Sequence, residues 1–194
     1  MIAYLTGLFS HKSPALVYLD VNGVGYEVHI SLNTYSAVQH LEKGTLFTFL
    51  QVKEDSHTLY GFADMEEKNM FIRLISINGV GASTARMMLS SLRPDEITNA
   101  ILQQNTRLLE SIKGIGKKTA ERIVLELRDK LGKADAPVSF GAAMTTNSRE
   151  QDALQALTAL GIPRQAAETA IKKIMGSADG LDLEQIIKKA LQSI

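Results

Sequence analysis

Two short glycine motifs are spaced for chemistry on an anion. Gly79-Val80-Gly81 and Gly114-Ile115-Gly116 each set an aliphatic residue between two glycines, just ahead of a stretch with helical periodicity. A glycine at each flank permits a sharp turn with φ > 0 and a close approach of backbone to another molecule. The residue between them, Val80 or Ile115, is placed to pin the turn into a core. The helix that follows offers unpaired N–H groups and the positive end of its dipole. Together these make an anion site that suits a phosphate. Lys117 and Lys118 add charge to the second motif. Contacts of this kind hold a nucleic-acid backbone and carry no base information.

The motifs are copies of one unit. Leu74 to Ala85 lines up with Leu109 to Ala120 at a constant offset of 35 residues, and Leu, Ser, Ile, both glycines, Thr and Ala match. Each copy reads helix, tight turn, helix. Two copies in one compact unit would make a two-fold-like pair able to hold both strands of a duplex across one minor groove. The copies are not equal, because Ala82-Ser83 stands where the second has Lys117-Lys118; more of the ionic grip is expected from the second. Two other phosphate motifs are excluded. A P-loop needs a glycine five residues before Gly116, where this chain has Ser111, and a dinucleotide fingerprint needs a third glycine where the first copy has Thr84.

A second candidate is the acidic pair Glu54-Asp55, at the tip Lys53-Glu54-Asp55-Ser56-His57 between two strand-like runs. Adjacent carboxylates suit a solvated hairpin tip, metal binding or acid-base work. Nothing nearby supplies further ligands or a nucleophile. The four histidines (His11, His29, His40, His57) form no i, i+4 pair, and there is no cysteine. No catalytic residue, metal or cofactor is therefore expected.

These motifs need elements to carry them. Residues 1–63 read as strands. Leu16 to Val21 is β-branched and aromatic, Asn22-Gly23 signals a type I′ hairpin, and Tyr26 to Ile30 alternates. Leu46 to Val52 and Thr58 to Phe62 predict a second hairpin. Five or so short strands suggest a small closed barrel, since closure removes exposed edges. At Asp64 the period changes to that of a helix. Met65 to Ile77 puts Met70, Phe71, Leu74 and Ile77 on one face. Helices follow at Ser83–Leu92, Pro94–Gln103, Thr106–Ser111 and Lys118–Leu131, with Pro94 suited to a first turn. Residues 132–148 lose the pattern and read as a flexible linker. Three more helices, Arg149–Leu160, Pro163 to about Met175 and Asp182–Ser193, predict a small bundle. The expected organisation is multidomain α+β: a barrel over 1–64, a helical domain over 65–133, a linker over 134–148 and a three-helix bundle over 149–194.

Charge supports a polyanion partner for the middle segment only. Net charge is zero for the 194 residues. Residues 1–64 carry three Lys/Arg against six Asp/Glu, residues 65–133 twelve against eight, and residues 134–194 six against seven. The basic surplus lies where the glycine turns lie. No apolar run approaches the ~20 residues of a membrane span, and the N-terminus has no signal-peptide pattern. Together with the absence of cysteine, this predicts a cytoplasmic protein with no membrane partner.

The order and spacing of these features resemble the RuvA family along essentially the whole chain. The resemblance rests on Met1-Ile2, Asn22 to Val28, Glu54-Asp55 ahead of Leu59-Tyr60-Gly61-Phe62, Asn78 to Gly81, Gly114 to Arg122, and Ala159-Leu160-Gly161. It implies an OB-fold barrel, a double helix-hairpin-helix domain and a C-terminal bundle. It implies a homotetramer, sometimes two face to face, that binds four-way Holliday junction DNA and holds it open and square. The partners implied are the RuvB ATPase, which drives branch migration, and the RuvC resolvase. In that frame DNA binding falls to Lys53, Asn78, Gly79, Gly81, Gly114, Gly116, Lys117, Lys118 and Arg122. Glu54 and Asp55 become a pin near the crossover that repels phosphates, and Leu157, Leu160 and Ile162 match positions that dock RuvB. Two positions depart from the family: Ser83 stands where a lysine is common, and Ile162 where an aromatic is common. The rival readings are a general duplex-binding module and a structure-specific nuclease using Glu54 and Asp55.

Overall fold

Alternation in the N-terminal segment has its cause in a barrel. In a computed structural model describing residues 1–132, 146–175 and 181–193, five strands form it: β1 (Tyr4–Ser13), β2 (Leu16–Val21), β3 (Val24–Ile30), β4 (Lys43–Val52) and β5 (His57–Phe62). They close in the order β1-β2-β3-β5-β4. Neighbours are antiparallel except β3 and β5, which run parallel through His29↔Tyr60 and Ile30↔Gly61. Asn22 and Gly23 take φ of 53° and 86°, as the type I′ turn between β2 and β3 requires. Leu5, Val17, Leu19, Val28, Ile30 and Leu46 fill the interior.

One stretch of the barrel segment departs from the all-strand expectation. Leu32–Val38 is a helix, α1, capped by the Ser31 hydroxyl, which accepts from the Thr34 N–H at 3.0 Å. At seven residues it is too short for the helical period to stand out. It fastens the barrel to the helices that follow. Asn33 Nδ2 donates to the Leu89 carbonyl at 2.6 Å. The hydroxyls of Ser31 and Thr34 both donate to the buried carboxylate of Glu67, the latter at 2.6 Å. Burial pushes the Glu67 pKa up against the pull of those two bonds.

Glu67 lies on α2 (Met65–Ile75), which begins at the Asp64 cap. Then come α3 (Ala82–Ser91), α4 (Pro94–Leu102), α5 (Thr106–Glu110) and α6 (Lys117–Gly132). Met70, Phe71, Leu74 and Ile77 are all buried, as the periodicity predicts. Their core also takes Tyr60 and Phe62 from β5, whose rings stand 5.1 and 4.9 Å from that of Phe71. Barrel and helices thus belong to one compact unit.

A second unit lies beyond residues 133–145 and holds α7 (Thr146–Ala159), α8 (Arg164–Met175) and α9 (Leu183–Ser193). Most of the segment read as a linker lies outside the described residues. Its last three positions, Thr146 to Ser148, correct that reading, since they form the start of α7. Ala153, Leu157, Ala167, Ile171 and Ile186 make the bundle core.

Candidate nucleic-acid interface

The turn between α2 and α3 and the turn between α5 and α6 repeat each other in backbone detail. Gly79 and Gly114 have φ of 94° and 92°. The Val80 N–H donates to the Ile77 carbonyl at 3.0 Å, and the Ile115 N–H to that of Ile112 at 3.0 Å. Val80 and Ile115 are buried in the shared helical core, so they do pin the turns. Along Ile77 to Ala85 and Ile112 to Ala120 the pattern of burial is the same at every position but one: Ala82 is buried, whereas Lys117 is exposed. Burial at that position accounts for the missing counterpart of Lys117, but not of Lys118, because Ser83 is exposed as Lys118 is and nothing in the structure explains the absence of a lysine there.

The second glycine of each motif plays a different part from that expected. Gly81 has φ −82° and ψ 168°, an extended conformation open to any residue, and Gly116 is likewise outside the positive-φ region. Gly81 is the N-cap of α3 and has no side chain to satisfy the first-turn N–H groups. A Cβ built on Gly81 or Gly116 would meet nothing within 4 Å. Neither backbone angle nor internal packing requires glycine at either place. Both positions are exposed, and each lies at the start of a helix, α3 or α6, whose first N–H groups have no carbonyl four residues back within the helix. The surface is bare backbone at the positive end of a helix, with Lys117 and Lys118 exposed beside the second copy.

The two turns are also tied together. Arg122 Nη1 on α6 donates to the main-chain carbonyl of Asn78, ahead of Gly79, at 3.0 Å. Its Nε lies 3.9 Å from Glu126 Oε1. Sequence reasoning had no signal for this bond across 44 positions. It also missed Arg86 on α3, whose Nη1 donates to the Ala15 carbonyl at 3.0 Å and to His29 Nδ1 at 3.2 Å. Arg86 is thereby committed to the barrel.

Lys53, Glu54 and Asp55 lie apart from the turns in the chain, at the exposed tip between β4 and β5. The Lys53 N–H closes the tip on the Ser56 carbonyl at 2.8 Å, and the Ser56 hydroxyl donates to Asp55 Oδ1 at 3.2 Å. Among the described residues no group of three His, Asp or Glu could hold a metal ion.

The three bundle residues matched to docking differ in exposure. Leu157 is fully buried and holds the bundle together. It also belongs to the helix end. Gly161, at φ 89°, donates to the Thr158 carbonyl, and the Ile162 N–H to that of Leu157 at 3.1 Å. That is a Schellman cap, which pairs the apolar residues on either side of it. Ile162 is accordingly half-buried against the bundle core. Leu160 alone stands out, 62% exposed.

A closed five-stranded barrel followed by paired glycine turns defines a multidomain helix-hairpin-helix protein with an OB-type barrel. Comparison with known proteins agrees segment by segment. Residues 1–61 match the RuvA N terminal domain, residues 71–129 the SAM-like Helix-hairpin-helix tandem, and residues 148–194 the RuvA, C-terminal domain. Proteins named Holliday junction branch migration complex subunit RuvA are similar over their whole length. That of Christiangramia forsetii is 45% identical, covering 100% of both chains, and that of Flavobacterium psychrophilum 44%, again over 100% of both. The protein of Cytophaga hutchinsonii is 43% identical over 99% of each. The chain belongs to the RuvA family.

Proposed function

We propose that this protein binds four-way DNA junctions through their sugar-phosphate backbone, holds them open and square as a homotetramer or a pair of tetramers, and recruits a RuvB ATPase for branch migration, with RuvC as a further partner. It carries no catalytic residue of its own in this reading, and the motor chemistry belongs to RuvB. The names of its full-length relatives support the junction as ligand.

The observation that carries the reading is the open space at Gly81 and Gly116. A glycine that the chain itself does not need is explained by a molecule that comes close to it. A phosphate oxygen fits, because the first N–H groups of a helix have no carbonyl four residues back inside it and the helix dipole favours negative charge. Asn78, Gly79, Gly81, Gly114, Gly116, Lys117, Lys118 and Arg122 form the grip on each arm. Lys53 counters a phosphate near the centre. Glu54 and Asp55, repeated around the tetramer, repel phosphates at the crossover and discourage continuous duplex. In the division of labour proposed here, residues 1–64 provide the pin and tetramer contacts, 65–133 the grip, and 149–194 the motor contact through Leu160 and the half-buried Ile162.

Replacing Gly81 and Gly116 by Ala tests this. Stability should change by less than about 1 kcal/mol per site, since the added methyl meets nothing and the backbone angles are allowed. Junction affinity should fall sharply, because the methyl occupies the space of the phosphate. Retained affinity in a folded variant would contradict the reading.

A further inference from the structure

The first hairpin lacks the lysines of its copy, yet a cation stands beside it. Arg122 reaches from α6, the helix of the second hairpin, to the Asn78 carbonyl in the first. The bond is one-way. The 35-residue offset places Met87 at the position equivalent to Arg122, and a thioether cannot donate a hydrogen bond back to Lys113. A guanidinium carries five N–H donors in a flat fork. Asn78 takes one of them, Glu126 is 3.9 Å from Nε, and the side chain remains 50% exposed. Its free edge is therefore open to an anion at the mouth of the first turn. A fork can hold a carbonyl on one edge and a phosphate on another, which a lysine ammonium does less well.

We propose that Arg122 serves the hairpin opposite its own: it fixes the spacing of the two turns through Asn78 and supplies the first turn with the phosphate cation that Ala82 and Ser83 do not. The proposal rests on the backbone-binding reading above. It makes the two hairpins one device, in which the second repeat carries the cations for both.

The test compares the wild type with full-length R122Q and R122K. The probes are a synthetic four-way DNA junction and the same junction with single phosphates of one arm replaced by neutral methylphosphonates. Wild-type binding should be sensitive at two separate groups of phosphates, one per hairpin. R122Q should bind roughly tenfold more weakly or worse and lose about one unit of the log-log salt slope. It should become insensitive at one group while the group held by Lys117 and Lys118 keeps its effect. R122K should recover the slope but leave the Asn78–Gly81 turn looser, read as faster amide hydrogen exchange at Gly79 in the free protein. Should R122Q not fold, R122K with its exchange measurement carries the comparison. An unchanged slope and phosphate pattern in R122Q overturns the proposal, as does loss of the Lys117 and Lys118 group instead of the other. Unchanged exchange at Gly79 in R122K overturns the spacing role. A wild type that does not bind the junction at all overturns the backbone-binding reading itself and is told apart by its silence to every methylphosphonate.

Discussion

Glycine does two separate jobs in each hairpin, and the sequence shows only that both are glycine. Gly79 and Gly114 are needed by the fold, because their φ lies near +90°, where a side chain is strained. Gly81 and Gly116 are not, and that distinction appears only once backbone angles and surrounding space are known. The lysines were legible as cations, and both are exposed beside the second turn. Why the first turn lacks a counterpart of Lys117 was not legible, since the burial of Ala82 depends on the packing of α3. Lys117→Ala with Lys118→Ala is expected to weaken junction binding and reduce the salt slope by roughly two units. Titration of binding against salt checks this, and an unchanged slope would show that neither lysine meets a phosphate.

At the scale of elements, strong periodicity was readable and short or long-range features were not. The helices from α2 to α6 and the hairpin turn at Asn22-Gly23 follow from spacing and turn chemistry. The first strand, β1, escaped individual placement, and α1 was hidden inside a segment that reads as strand. Leu157 was matched to docking, but it lies fully buried in one core cluster with Ala153, Ala167 and Ile171, a placement that depends on how the three helices pack. The contacts that join barrel to hairpins are side-chain bonds between distant positions, which leave no periodic trace. Two of them include titrating groups, His29 and Glu67. Arg86 can only donate, so His29 Nδ1 must accept, leaving the ring neutral with its proton on Nε2, 3.7 Å from Glu27. Burial first, then the charge of Arg86, hold the His29 pKa below its usual 6.5, while Glu27 pulls the other way. A depressed pKa means that the stability linked to neutral His29 is complete above 6.5 and is lost as pH falls through the folded value. Glu67 has the opposite sign: its raised pKa favours the fold below 4.5, and that contribution is lost as pH rises through the folded value. His29→Gln keeps an acceptor for Arg86 and does not titrate, so its comparison with the wild type cancels Glu67. The wild-type melting temperature should fall more than that of His29→Gln between about pH 7 and about pH 5. Parallel curves would contradict the joint.

For the molecule as a whole, zero net charge conceals a division of sign. The barrel segment is acidic and the hairpin segment basic, so a polyanion would be attracted by one segment and opposed by the other. That arrangement suits a ligand whose arms are to be held and whose centre is to be kept apart. Under the proposed function it would also disfavour simple duplex, which offers arms without a centre. The family and its domain order were legible from motif order along the chain, while the tie between the two repeats needed coordinates. The most direct measurement is a competition gel shift, in which a labelled four-way junction is challenged by unlabelled junction or by linear duplex of the same arm sequence. The junction should displace the label efficiently and the duplex poorly, and reshuffling the arm sequence should change neither. Equal competition by duplex would contradict selective junction binding.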